Sequence, residues 1–162
     1  MSSPGSVTFD YLIHASAHEL PEADQALLRA AHDAALRAYA RYSNFQVGAA
    51  LRMRDGRVVT GNNQENASYP AGTCAERTAL HAAMSQDPDG VGETMAIVVP
   101  SVTGERPVTP CGICRQALLE QEVRQQGAPL RLLMAVPNGP VYEVRRAAHL
   151  LPLAFDASFL KG

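Results

Sequence analysis

The 162-residue sequence lacks the compositional extremes that mark fibrous, disordered or nucleic-acid-binding chains. Its 12 glycines and 11 prolines are close to the usual background, so neither a collagen-like nor a low-complexity class is indicated. Acidic and basic residues nearly balance at a net charge of −2, and no extended run of Lys or Arg offers the positive patch that nucleic acids and anionic membranes bind. We therefore expect neither a nucleic acid nor a membrane as the partner.

Long apolar runs are also missing. The longest, residues 95–100 and 130–136, are far shorter than the roughly 20 residues of a membrane-spanning helix. Residues 1–10 contain neither the basic start nor the apolar segment of a secretory signal. We expect a cytoplasmic protein with one domain over residues 20–162, preceded by an irregular extension at residues 1–19.

Cysteine is scarce, and its three residues cannot all pair within one chain. That count argues against a secreted disulfide scaffold. Cys111 and Cys114 form a C-x-x-C pair, and Cys74 lies earlier in the chain. Three thiolates with one open coordination position are typical of a catalytic zinc site, whereas a structural site would need a fourth protein ligand. The sequence therefore predicts one catalytic zinc ion per subunit.

Hydrophobic spacing and turn dipeptides predict helices that alternate with strands. Helices are expected over residues 21–42, 73–83 and 111–125. Strands are expected over residues 47–53, 57–61, 95–99, 130–136 and 141–145, with turns at Asp55-Gly56 and Asn138-Gly139. Because each element must bury its apolar side against another layer, the pattern predicts an α/β fold, a three-layer α/β/α sandwich with a mixed five-stranded sheet.

All three cysteines lie at predicted helix starts, where free N–H groups and the helix dipole favour thiolates. Zinc with three thiolates carries a formal charge of −1, which positive groups should offset. Arg77 and Arg115 lie beside the two cysteine motifs and are candidates to donate hydrogen bonds to the cysteine sulfurs. Since zinc lowers the pKa of a bound water to about 7, such a site supplies hydroxide at neutral pH.

Glu76 lies two residues after Cys74 and has two interpretations. A carboxylate beside a metal-bound water can accept its proton and return it to a substrate nitrogen. Alternatively, residues 73–76 form a T-x-x-E capping box, in which Glu76 only reaches back to the backbone of Thr73. The C-x-E spacing, combined with Pro110 and the C-x-x-C pair, matches the three-cysteine form of the zinc deaminase signature and favours catalysis.

A structural zinc ion with a histidine as its fourth ligand is the alternative for the cysteines. His81 follows Cys74 on the same predicted helix face, but two helical turns place it about 10 Å from the metal. We expect His81 to be a packing or surface residue.

Five blocks of sequence, spanning roughly residues 39–155, share one order and spacing with a known family. They are YSNFQVGAAL at 42–51, GNNQENASY at 61–69, CAERTA at 74–79, PCGICRQ at 110–116 and LLPLAF at 150–155. Together the blocks resemble the small homotetrameric cytidine deaminases. The resemblance implies hydrolytic deamination of cytidine and 2′-deoxycytidine to uridine and 2′-deoxyuridine, with release of ammonia, in pyrimidine nucleoside salvage.

The resemblance also implies roles for individual residues. Glu76 matches the proton-shuttling carboxylate, and Cys74, Cys111 and Cys114 match the zinc ligands. The residues expected to contact the substrate are Phe45, Asn63, Glu65, Ala67, Tyr69, Ala75 and Phe155. Asn63 and Glu65 match residues that hold the ribose hydroxyls, where a carboxylate accepts a short, charge-assisted hydrogen bond.

The two phenylalanines, Phe45 and Phe155, match aromatics that pack on the pyrimidine ring. Tyr69 matches a residue that reaches a neighbouring subunit's site, which implies a homotetramer with shared active sites. The backbone at Ala67 and Ala75 is expected to contact the base.

Other functions stay open at this point. A deaminase of the same fold acting on N4-substituted cytidines or on a blasticidin-like antibiotic is the nearest alternative, although the Asn63-x-Glu65 pair favours ordinary ribosides. A polynucleotide editor would call for basic grooves that the composition lacks. A structural zinc module or a silent binding protein would not need Glu76. The extension at residues 1–19 and the stretches 86–94 and 120–129 exceed the compact family pattern, and Asn62 replaces a cysteine that many relatives carry.

Overall fold

The computed structural model describes residues 2–160 of the chain, so that Met1, Lys161 and Gly162, at the ends of the expected extension and domain, lie outside the described residues. Its helices are α1 (Glu22–Ala35), α2 (Ala75–Gln86) and α3 (Gly112–Arg124). Its strands are β1 (Leu12–His14), β2 (Gly48–Met53), β3 (Val58–Asn62), β4 (Gly92–Val98), β5 (Arg131–Ala135) and β6 (Val141–Val144). Within residues 2–160, no helix is long and apolar enough to cross a membrane.

The strands form one mixed sheet in the order β1-β6-β5-β4-β2-β3. The pairing of β4 with β5 is parallel, and the other neighbouring strands are antiparallel. Helix α1 covers one face of the sheet, and α2 and α3 cover the other. The alternation of strand side chains shows this on β2, where Ala50 packs with α1 while Ala49 and Leu51 pack with α2. The predicted three-layer α/β class is confirmed.

The sheet has six strands and not the expected five, because residues 12–14 add β1 to the free edge of β6. The expectation of an irregular region throughout residues 1–19 was wrong at this strand. A three-residue strand is too short to show an alternating pattern in sequence. A contact with a residue far away in the sequence helps to hold this strand in place, since His14 Nε2 lies 3.0 Å from Glu143 Oε2 on β6.

Helix α1 ends at Ala35, earlier than the predicted end at Tyr42. The chain that follows pairs with a distant segment, because Tyr39 N–H donates to Asn63 O at 3.1 Å and Glu65 N–H donates to Tyr39 O at 2.9 Å. These contacts replace the helical hydrogen bonds that the spacing of Ala38 and Tyr42 had suggested. The resulting loop over residues 36–47 runs next to the segment that contains Asn63 and Glu65.

Glycines allow two of the helices to approach the sheet closely. A Cβ atom on Gly48 would lie 1.9 Å from Ala31 O of α1, and one on Gly61 would lie 2.3 Å from Ala79 N of α2. Any larger residue at either position would push a helix away from its strand. The close contact at Gly61 sets the distance between the sheet and α2, the helix that begins at the Cys74 motif.

Candidate active site

Two helix starts bring the three cysteines together. Cys74 is the N-cap residue of α2 and Cys111 is the N-cap residue of α3, while Cys114 is buried in the first turn of α3. The three sulfur atoms lie within 4.8 Å of one another, and the Cys74 and Cys111 Sγ atoms are 3.9 Å apart. The predicted clustering of the cysteines at helix N-termini is confirmed.

The donor set fits a zinc ion. A tetrahedral ion with Zn–S bonds of about 2.3 Å needs sulfur atoms about 3.8 Å apart, close to the Cys74–Cys111 separation. Hydrogen bonding from Cys114, and then from Arg77, lowers the pKa of Cys74 to about 5. The same contact with Cys74, together with burial, raises the pKa of Cys114. The protein alone therefore stabilises one thiolate, and a full set of thiolates needs a cation among them.

The two arginines beside the cysteine motifs have different surroundings. Arg77 contributes hydrogen bonding that lowers the Cys74 pKa, and its Nε is buried without a partner among the described residues. Arg115 donates elsewhere, to Pro110 O at 2.8 Å, Leu150 O at 2.9 Å and Thr109 Oγ1 at 3.3 Å. These contacts use three of the five guanidinium N–H groups, so the expected hydrogen bond from Arg115 to a cysteine sulfur stays a prediction.

Glu76 is buried in the first turn of α2, and the capping-box interpretation was wrong. The N-cap residue is Cys74 and not Thr73, and the Thr73 N–H donates to Gln64 O at 2.9 Å. Burial raises the pKa of Glu76 above its ordinary value, and the negative charge of Cys74 raises it further. A buried carboxyl with a raised pKa is suited to accepting and returning a proton.

A cavity of about 400 Å³, here called the chamber, opens beside the cysteines. It brings together six residues that the sequence predicts for the site: Phe45, Asn63, Glu65, Cys74, Glu76 and Cys111. Sequence reasoning missed its other lining residues: Ser43, Val47, Ile97, Val108 and Thr109. Ser43 and Val47 lie inside the family-like block at 42–51, whereas Val108 and Thr109 lie in a loop without any recognisable pattern.

The predicted sugar-binding residues are hydrogen-bonded to the loop that carries Phe45. Asn63 Nδ2 donates to Phe45 O at 2.9 Å, and Val47 N–H donates to Asn63 Oδ1 at 2.8 Å. Glu65 accepts from the Ser43 hydroxyl and from Tyr42 N–H. The Ser43 hydrogen bond, followed by that of Tyr42, lowers the pKa of Glu65, so this carboxylate stays ionised.

Tyr69 and Phe155 do not line the chamber within one chain. Tyr69 is 79% exposed and lines a second cavity of about 440 Å³, which shares Ser43, Asn63, Glu65 and Cys74 with the chamber. Phe155 is 58% exposed and stacks on Phe159 with ring centroids 5.8 Å apart.

The two alanines of the predicted site differ in burial. Ala67 is exposed in the loop before α2, whereas Ala75 is buried in the first turn of that helix. Of the two backbone contacts expected with the base, the one at Ala75 therefore lies beside Glu76 and the cysteine cluster.

Comparison with known families agrees with this geometry. The family described as "Cytidine and deoxycytidylate deaminase zinc-binding region" matches residues 21–126, more than half of the chain and the part that contains all three cysteines and Glu76. The chain belongs to this family. The zinc site that the cysteine cluster fits is thus the one for which the family is named.

Individual relatives support the same assignment. A cytidine deaminase of Halalkalibacterium halodurans is 44% identical over 133 residues, covering 82% of this chain and 94% of the relative. A cytidine deaminase of Mycobacterium tuberculosis is 43% identical over 138 residues, covering 84% of this chain and 92% of its own. The crystal structure of cytidine deaminase from Burkholderia pseudomallei superposes with a TM-score of 0.69 at 41% identity, covering 80% of this chain and 97% of that one.

Proposed function

We propose that the protein catalyses the hydrolytic deamination of cytidine and 2′-deoxycytidine to uridine and 2′-deoxyuridine with release of ammonia. The observation that carries the proposal is the chamber, whose lining includes buried Glu76, the cysteines Cys74 and Cys111, and the polar residues Asn63 and Glu65. The relatives with more than 40% identity are cytidine deaminases. These relatives do not favour the alternative of an N4-substituted or blasticidin-like substrate.

Cys74, Cys111 and Cys114 would hold one zinc ion per subunit, at the paired N-termini of α2 and α3. A bound zinc ion supplies Lewis acidity, which makes water nucleophilic near neutral pH. Arg77 offsets part of the excess negative charge of the thiolates, because its positive charge lies close enough to Cys74 to lower the pKa of that thiol.

Glu76 moves the protons of the reaction. Its carboxylate accepts a proton from the attacking water and delivers it to N3 of the pyrimidine, which makes C4 more electrophilic. The same carboxylate then takes the second proton of the water from the hydroxyl now bonded to C4 and passes it to the amino group, so that the C4–N bond breaks, ammonia leaves and C4 keeps a carbonyl oxygen. The raised pKa of Glu76 suits both steps, since the carboxyl both binds and releases a proton easily.

Asn63 and Glu65 bind the sugar, and Phe45, which also lines the chamber, packs on the base. A hydroxyl donating to Glu65 forms a charge-assisted hydrogen bond. The backbone at Ala75 and Ala67 supplies further contacts to the base. Free cytosine offers no hydroxyl to the acceptor position that remains on Glu65, so the enzyme discriminates against it.

The proposal extends to a homotetramer with shared active sites. Tyr69 and Phe155, both expected to contact substrate, are strongly exposed and lie outside the chamber of their own chain. A neighbouring subunit would bury these aromatic side chains and receive them at its own site. A cytoplasmic location in nucleoside salvage suits the three free cysteines, which a reducing compartment keeps unpaired.

Ultraviolet absorbance of the zinc-loaded protein with cytidine, cytosine, CMP and an N4-substituted cytidine tests the proposal. We expect rapid loss of the cytidine signal and little change with cytosine. Turnover of the N4-substituted nucleoside without turnover of cytidine would contradict it.

A further inference from the structure

One serine hydroxyl connects the two predicted substrate-binding elements of the chamber. Ser43 Oγ donates to Glu65 Oε1, and it accepts from Phe45 N–H at 3.0 Å. Asn44 lies between Ser43 and Phe45 in the left-handed region, at φ 56°. Ser43 lines both the chamber and the second cavity, as do Asn63 and Glu65.

Glu65 has almost all of its acceptor positions occupied by this loop. Tyr42 N–H donates to Oε2 at 2.8 Å, and Ser43 N–H donates to the same oxygen at 3.3 Å. Among residues 2–160, Oε1 accepts from the Ser43 hydroxyl alone. A carboxylate offers about four acceptor positions, so about one, on Oε1, is left for a hydroxyl of the substrate.

Besides its hydrogen bond to Ser43, the Phe45 segment has a second anchor at Asn63. Asn63 Nδ2 donates to Phe45 O at 2.9 Å, and Asn63 Oδ1 accepts from Val47 N–H at 2.8 Å. Removing the Ser43 hydroxyl therefore frees Glu65 Oε1 while Asn63 still holds the loop.

We propose that Ser43 is a positioning residue for sugar recognition, which fixes Glu65 Oε1 so that its remaining acceptor position faces a hydroxyl of the bound nucleoside. This inference rests on the proposed function. Ser43 acts through Glu65 and does not take part in the proton transfers of Glu76. Its removal thus affects substrate affinity and leaves the chemical step intact.

The test compares Ser43→Ala with the wild-type protein on two substrates. One is cytidine, and the other is 2′,3′-dideoxycytidine, which lacks the hydroxyl groups at the 2′ and 3′ carbons of the sugar. We expect KM for cytidine to rise roughly tenfold, because a hydrogen bond to a charged group is disturbed, while kcat changes less than about threefold. The KM for the dideoxynucleoside, or its inhibition constant where turnover is slow, should change less than about threefold.

Two variants provide the controls. Ser43→Thr keeps the hydroxyl and should restore the cytidine KM to within about threefold of the wild-type value. Ser85→Ala removes an exposed serine of α2, whose hydroxyl donates only to Ala82 O among the described contacts, and should leave both substrates unaffected. In a Glu65→Gln background, adding Ser43→Ala should change KM less than about twofold, because the two residues act as one unit.

An equal loss on both nucleosides would overturn the inference, since Ser43 would then only hold the loop. An unchanged KM for cytidine, or a loss confined to kcat, would also overturn it. Should Ser43→Ala fail to fold, Ser43→Cys, with a much weaker donor, is subject to the same comparison. A wild-type protein that turns over neither nucleoside contradicts the proposed function, whereas an active protein without substrate-selective effects contradicts only the role of Ser43.

Discussion

The cysteine corner and the sugar-facing wall of the chamber are built in different ways. The corner consists of two helix starts, where Cys74, Cys111 and Cys114 are placed by regular backbone. The wall consists of the irregular loop over residues 42–47, held by the side chains of Asn63 and Glu65. The positions of the three cysteines therefore follow from regular backbone, whereas the shape of the wall depends on individual side-chain hydrogen bonds.

Metal removal should produce the largest effect, because it takes away the zinc ion that activates the attacking water. We expect a chelator to eliminate cytidine turnover and zinc to restore it, while the sheet stays folded. Zinc content by elemental analysis and circular dichroism before and after chelation check this. Activity that survives complete removal of the metal would contradict the zinc assignment.

Glu76→Gln comes next, because it removes the proton shuttle and keeps the shape of the side chain. We expect kcat to fall by roughly 10²–10⁴, with zinc content unchanged. Steady-state kinetics and metal analysis of the same preparation separate the two quantities. Unchanged turnover would show that another group moves the protons.

The substitution Glu65→Gln tests the role of the sugar-facing wall, because it removes the charge of its carboxylate. We expect kcat/KM for cytidine to fall by roughly 10², while the low activity on cytosine stays unchanged, because only the nucleoside offers a hydroxyl to this position. The wild-type preference for cytidine over cytosine should itself approach about 10⁴–10⁵. If the wild-type protein had a comparable kcat/KM for cytidine and for cytosine, the assignment of Glu65 to sugar recognition would be wrong.

The smallest effects should separate the two arginines. Arg77→Leu is expected to weaken zinc affinity by roughly 10–100-fold, because it removes a positive group beside the thiolates. Arg115→Leu should leave zinc affinity within about threefold, since its guanidinium donates to Pro110, Leu150 and Thr109. Competition with a fluorescent chelator measures both. An equal loss of zinc affinity in the two variants would show that Arg115 also stabilises the metal site.

The same contrast explains what could be predicted from the sequence. The cysteines could be placed at helix starts because their signals are local: Pro110 before α3, and the spacing of Cys74 and Glu76 within one turn. The end of α1 could not be placed, because Tyr39 pairs with Asn63 and Glu65 from a distant part of the chain.

The partners of Arg115 and strand β1 were missed for a related reason. Both depend on contacts between segments far apart in sequence, Leu150 for the arginine and Glu143 for the strand. Short-range patterns contain no information about such contacts. The resemblance to a family supplied Asn63 and Glu65 as sugar-binding residues, but not their hydrogen bonds to the loop over residues 42–47.

The order of the strands explains why two cysteine motifs distant in sequence meet at one point. Strands β3 and β4 each run antiparallel to β2, which lies between them, so both point in the same direction. Helix α2 follows β3 and helix α3 follows β4, and both helices lie on the same face of the sheet. Both therefore begin near the carboxyl ends of these two strands. One more strand between β3 and β4 would move the two helix starts apart by about 5 Å, and the sulfur atoms could no longer share an ion.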